Sequence, residues 1–132
     1  MYMVAIKSSR HAKYQIAYHF VWIPKYWKQL LNGNVKTELC SIINEIAQQF
    51  GFEILALEVM PDHVHLFLSA PPKYSPAEII KIVKGTTARK LRAKFPTLRN
   101  SKHLWTDSYF IATHGNVSAE TIRRYIDECQ NL

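Results

Sequence analysis

Cysteine is scarce in this chain. There are only two in 132 residues, Cys40 and Cys129, far apart and in no C-x-x-C pair. That scarcity argues against a disulfide framework and a structural zinc knuckle, and it fits a reducing compartment, the cytoplasm. No apolar run approaches the ~18–20 residues of a membrane span. The opening Met1 to Lys7 lacks the charged start and long apolar stretch of a secretory leader, so no membrane partner is expected. A Gly-rich Walker-type phosphate loop is absent as well, so nothing points to chemistry driven by nucleotide hydrolysis. Acid is missing from one whole segment. Between Glu78 and Asp107 there is no Asp or Glu, yet eight of the 17 Lys and Arg lie there: Lys81, Lys84, Arg89, Lys90, Arg92, Lys94, Arg99 and Lys102. So one-sided a field, within a net charge of +7, attracts polyanions and predicts nucleic-acid contact.

What is present is enough for one folded domain over residues 1–132, since 48% of the residues are apolar. The chain is organised around Pro61-Asp62-His63-Val64-His65-Leu66-Phe67-Leu68, a turn running into a strand. Alternate strand residues share a face, so His63 and His65 project together while Val64, Leu66 and Leu68 suit a core. Two neutral imidazoles fixed at that spacing can act as two ligands of a metal ion. Asp62 stands next to them, as a turn residue or as a carboxylate that orients an imidazole.

Other elements follow from periodicity. Lys13 to Ile23 alternates and reads as one strand ended by Pro24, with His19 as a structural histidine, or as one that approaches the His63 and His65 site where this strand neighbours theirs. Val35, Leu39, Ile42, Ile43, Ile46 and Phe50 recur at helical spacing, and Gly51 stops that helix. Phe52 to Met60 is a second strand, with Leu55, Leu57 and Val59 on one side, forming a hairpin with the strand His63–Ala70. Ser75-Pro76-Ala77-Glu78 starts a second helix, ended by Phe95-Pro96. Leu104 to Thr113 reads as a fourth strand. Gly115-Asn116 is a flexible joint, and Ser118 caps a last helix with Ile122, Ile126 and Cys129 along one stripe and Tyr125 beside them. The order is strand, helix, strand, strand, helix, strand, then a C-terminal helix. This predicts an α+β, ferredoxin-like (split βαβ, RRM-like) four-stranded antiparallel sheet with two helices on one face. The His63 and His65 face is then expected to stay open.

The stretches Tyr18-His19-Phe20-Val21-Trp22, Pro61-Asp62-His63-Val64-His65-Leu66, Trp105-Thr106-Asp107-Ser108-Tyr109-Phe110 and Arg123-Arg124-Tyr125-Ile126 appear in this order. Together, over nearly the whole chain, they resemble the single-tyrosine HUH transposases, small enzymes that move insertion sequences as single-stranded DNA. The resemblance implies that His63 and His65 are metal ligands and that Tyr125 is the nucleophile, forming a 5′-phosphotyrosine and later rejoining DNA. It implies a divalent cofactor, Mg2+ or Mn2+, DNA partners with hairpin ends, and a homodimer whose active site is shared between subunits. The family usually places a Gln four residues after the Tyr as a third ligand. Here that position is Cys129, which favours a softer metal such as zinc; an oxygen donor is preferred, so the third ligand lies among Gln130, Glu128 and water. Arg10, His11 and Lys13, with Lys84, Arg89, Lys90 and Arg92, are the candidates for phosphate contacts. Two other readings remain: a non-catalytic RRM-like nucleic-acid binder, whose sheet aromatics stack bases, and a domesticated HUH nicking nuclease.

Overall fold

The computed structural model describes residues 4–25, 30–113 and 117–130, the last without the Gln130 side chain. A short hairpin, β1 (Lys7–Ser8) with β2 (Lys13–Tyr14), precedes β3 (Ala17–Trp22). Then follow α1 (Gly33–Phe50), β4 (Glu53–Met60), β5 (His63–Ser69), α2 (Pro76–Lys94), a 3-10 turn (Pro96–Arg99), β6 (Phe110–Thr113) and α3 (Ala119–Gln130). The main sheet has the order β4-β5-β3-β6 with every pair antiparallel, which is the ferredoxin-like arrangement. Among the described residues no helix is long and apolar enough to cross a membrane.

Local chemistry explains the helix limits. Gly51 takes the left-handed conformation, φ 74°, that ends α1 at low steric cost. At the start of α2, the Ser75 hydroxyl accepts from the Glu78 amide (3.1 Å) and the Glu78 carboxylate accepts from the Ser75 amide (3.0 Å). Those two bonds satisfy amides that the first helical turn leaves unpaired. Leu39, Ile42, Ile43 and Ile46 of α1 and Ile79, Ile80, Val83 and Leu91 of α2 pack on one face of the sheet, against Phe20, Trp22, Val64, Leu66 and Leu68.

Three sequence expectations change. Lys13–Ile23 is two strands, because β2 pairs with β1 while β3 pairs with β5 and β6. Alternation records which face a side chain takes, not which strand it bonds. In β4 the register shifts between Ile54 and Ala56, so Leu55 is the extra residue and Ile54 joins Leu57 on the core face. One inserted residue flips the faces of everything before it. The fourth strand begins only at Phe110; upstream, Trp105 makes a lone bridge to Pro24. The Gly115-Asn116 joint lies outside the described residues.

Gly85 sits inside α2 without the usual reasons for glycine. Positive φ is confined to Gly33 and Gly51 among the described glycines, and a Cβ on Gly85 would meet nothing within 4 Å. Gly85→Ala should therefore stabilise the protein by about 0.5–1 kcal/mol. Ser75→Ala, which removes a cap, should destabilise it by about 1 kcal/mol. Urea denaturation of both variants measures the opposite shifts.

Candidate functional site

Pairing across the sheet sets the histidine face. His65 lies opposite Val21 on one side and Glu58 on the other, and His19 opposite Phe67. Partners across an antiparallel pair share a face, so His19, His63 and His65 project together. The His63 ring nitrogen Nδ1 is 2.8 Å from Asp62 Oδ1. If Nδ1 carries the proton, Nε2 keeps its lone pair for a metal, and the carboxylate fixes the ring. Asp62 also meets Arg123 of α3, at 3.4 Å. Burial alone would push the Asp62 carboxyl up, but the hydrogen bonds and charges of His63 and Arg123 outweigh it and hold the carboxyl below its ordinary range.

His65 has a different environment. Its Nε2 is 2.9 Å from His19 Nδ1, and its Nδ1 is 3.9 Å from Glu58. Burial, aided by the charges of His19 and His63 and opposed by Glu58, holds its pKa below the ordinary imidazole value, so it is a neutral donor. His19 stacks on Phe67 with ring centres 3.9 Å apart and planes within 3°. His19 thus meets His65 directly, the approach that adjacency of the two strands allows. The expected open face is closed: His63 and His65 are each 9% exposed, and Ile126 of α3 is fully buried. The cause is α3, tied back to this end of the sheet through Arg123 and Asp62.

Tyr125 comes from α3, whose first turn Ser118 caps by accepting from the Thr121 amide at 3.1 Å. The Tyr125 hydroxyl is 3.1 Å from Ser108 Oγ, which is also 3.3 Å from Cys129 Sγ. Its ring lies 6.0 Å from that of Phe110, so it faces the 106–110 segment. Among the described residues no hydrogen bond joins Tyr125 to His63 or His65. Burial pushes the phenol above its ordinary value and the Cys129 thiol adds to this; the Ser108 and Thr106 hydroxyls pull down and lose. Cys129 follows Tyr125 by one helical turn and shares its side. Glu128 is exposed, and the Gln130 side chain lies outside what the structure describes. Among the described residues no three His, Cys, Asp or Glu side chains converge as a metal cluster.

The family model described as "Transposase IS200 like" matches residues 12–129. The chain belongs to the IS200-like transposase family. It is 39% identical over 125 residues to the ISDra2 transposase TnpA of Deinococcus radiodurans, covering 92% of this chain and 89% of that one. Against the transposase for insertion sequence element IS200 of Salmonella typhimurium it is 30% identical, covering 91% and 80%. A crystal structure of a candidate transposase from Deinococcus radiodurans R1 matches with TM-score 0.81 at 36% identity, covering 96% and 97% of the two chains. A REP-associated tyrosine transposase bound to a REP hairpin shares the fold, with TM-score 0.52 at 19% identity and coverage of 91% and 69%.

In this IS200-like chain the basic residues are less free than their sequence suggested. The acids absent from α2 beyond Glu78 come from α1: Glu38 pairs with Lys94 (2.7 Å) and Glu45 with Lys90 (3.4 Å). Arg92 donates to the carbonyls of Lys102 and Ser101, and half-buried Lys84 donates to those of Thr106 (2.6 Å) and Ser108 (3.1 Å). Arg89 is exposed, as are Arg10, His11 and Lys13 around the β1–β2 hairpin. Sequence reasoning missed Ser108 as the partner of Tyr125, and the only signal for it was its place inside a quoted motif stretch. The approach of His19 to the histidine pair hung on strand adjacency, and β3 does neighbour β5.

The raised phenol gives a testable titration. In 13Cζ tyrosine NMR, the signal lost in Tyr125→Phe should ionise later than an ordinary phenol at pH ~10. The sign follows: a folded-state value above the unfolded one means that stability from the buried phenol is present below pH ~10 and is lost as pH rises beyond it. The alkaline loss should be smaller in Tyr125→Phe.

Proposed function

We propose that this transposase, acting as a single domain over residues 1–132, cleaves and rejoins single-stranded DNA at insertion-sequence ends through Tyr125. The observation that carries the reading is Asp62. It bonds His63 on one side and Arg123 on the other, two residues before Tyr125, so the helix of the nucleophile and the histidine motif share one carboxylate.

The phenol oxygen of Tyr125 attacks phosphorus in line and the 3′-oxygen leaves. One phosphodiester is exchanged for another, giving a 5′-phosphotyrosine and a free 3′-hydroxyl, and the proton lost by the phenol is balanced by the one the 3′-oxygen gains. The reverse attack by a 3′-hydroxyl rejoins DNA. To act, Tyr125 must leave Ser108, because a buried phenol is a poor nucleophile. His63, steadied by Asp62, and neutral His65 fit two donor positions for Mg2+ or Mn2+, with the third from Gln130, Glu128 or water. When bound, such an ion would act as a Lewis acid on the scissile phosphate. A homodimer in which α3 of one subunit serves the histidines of the other accords with Tyr125 resting on Ser108 rather than on its own histidines. The hairpin held by the REP-associated neighbour supports hairpin DNA ends as the partner, and two cysteines that form no disulfide accord with the cytoplasm.

Single strands carrying the element end, labelled at 5′ or 3′ and incubated with Mn2+, test this on a denaturing protein gel. An adduct retaining the 3′-side fragment is expected, absent with EDTA, Tyr125→Phe or His63→Ala. Asp62→Ala should weaken Mn2+ binding by about 10–100-fold, read by calorimetry. Tight DNA binding with no adduct would instead make the chain a non-catalytic binder.

A further inference from the structure

A groove of about 410 Å³ runs between α2 and the segment leading to β6. That lies in the roughly 300–1,000 Å³ range of clefts that hold a small molecule or a group of that size. Its far wall is fastened to α2 at several points. The Trp105 indole donates to the buried Thr87 hydroxyl at 3.0 Å, Lys84 holds the carbonyls of Thr106 and Ser108, and Arg92 holds those of Ser101 and Lys102. The groove is therefore preformed. Its lining carries Lys81, Lys84 and Arg92 against one carboxylate, Asp107, and presents the Tyr109 ring. Gly85 lies in that lining, with open space where its Cβ would be. Glycine is a poor helix former, and no backbone angle or close neighbour in the fold calls for it here. The room it leaves exposes helix backbone to whatever enters.

The segment that forms this wall also carries Ser108, which lies outside the groove's lining and meets Tyr125, between the lining residues Asp107 and Tyr109. Cations beside an aromatic ring are the combination that holds unpaired nucleic acid, with bases on the ring and phosphates on the charges. We propose that this groove seats one unpaired nucleotide of the DNA substrate, its base between Tyr109 and the Gly85 backbone and its phosphate toward Lys81, next to the strand that reaches Tyr125. The inference rests on the single-stranded DNA reading above.

The test uses a fluorescein-labelled oligothymidylate about 20 nucleotides long, titrated by anisotropy, and the same oligomer carrying 5-iododeoxyuridine for photocross-linking. Gly85→Leu should weaken binding about tenfold or more while thermal unfolding is unchanged or raised, because leucine fills the groove and favours helix. In the wild type the cross-link should map to Tyr109 by mass spectrometry. A folded Gly85→Leu that binds within about twofold of wild type, or a cross-link that maps elsewhere, overturns the groove. If Gly85→Leu does not fold, the wild-type cross-link decides alone. The Tyr125 adduct separates the two levels. A wild type that forms the adduct but cross-links elsewhere loses only the groove, whereas one that neither binds single strands nor forms the adduct loses the groove and the transposase reading together.

Discussion

The Lys84 ammonium is the contact on which the site depends. It is half-buried, and burial holds its pKa below the ordinary lysine value against the opposing pull of Asp107 and Cys129. A cation withdrawn from water needs polar partners, and here they are the Thr106 and Ser108 carbonyls. Those carbonyls lie just before β6, where the chain has yet to join the sheet. A helix side chain thus does what a neighbouring strand does elsewhere. It fixes Ser108, and through Ser108 the position of Tyr125.

The site is self-satisfied as it stands. His65 is matched to His19, His63 to Asp62, Asp62 to Arg123 and Tyr125 to Ser108. Anything that binds here must exchange with these bonds rather than fill empty valences. Each exchange is close to balanced, since a typical internal hydrogen bond is worth only about 1 kcal/mol net. The cradle is therefore a choice between partners of similar strength, not a lock.

Much of this was legible in the sequence because it is local. The Ser75–Glu78 box, the Gly51 stop and the alternation of β5 need only a few adjacent residues, and they gave the fold class and the shared face of His63 and His65. What failed was long-range. Lys84 and Lys90 read as free charges because Glu45 and the Thr106 carbonyl lie 45 and 22 positions away in the chain. Leu55 and Ile54 exchanged faces because a bulge leaves no mark in a hydrophobic pattern. For His19 the sequence left two readings open, because its partner, 46 positions on, is set by strand register. The closure of the histidine face could not be read from the strand that carries it, because α3 supplies it.

Every residue from His63 to Ser69 is buried, so the motif strand is also the centre of the core. Polar rings there are kept against the preference of an interior, which is better filled by apolar groups of the same shape. Replacing His19 and His65 together with matched apolar side chains removes both ends of the bond between them, which costs less than leaving one end unpaired. On the proposed function, movement of the element is what these rings serve. In a lineage whose element has stopped moving, these positions can drift to aliphatic residues with little harm to the fold, so loss of the motif would record the element's retirement rather than the protein's collapse.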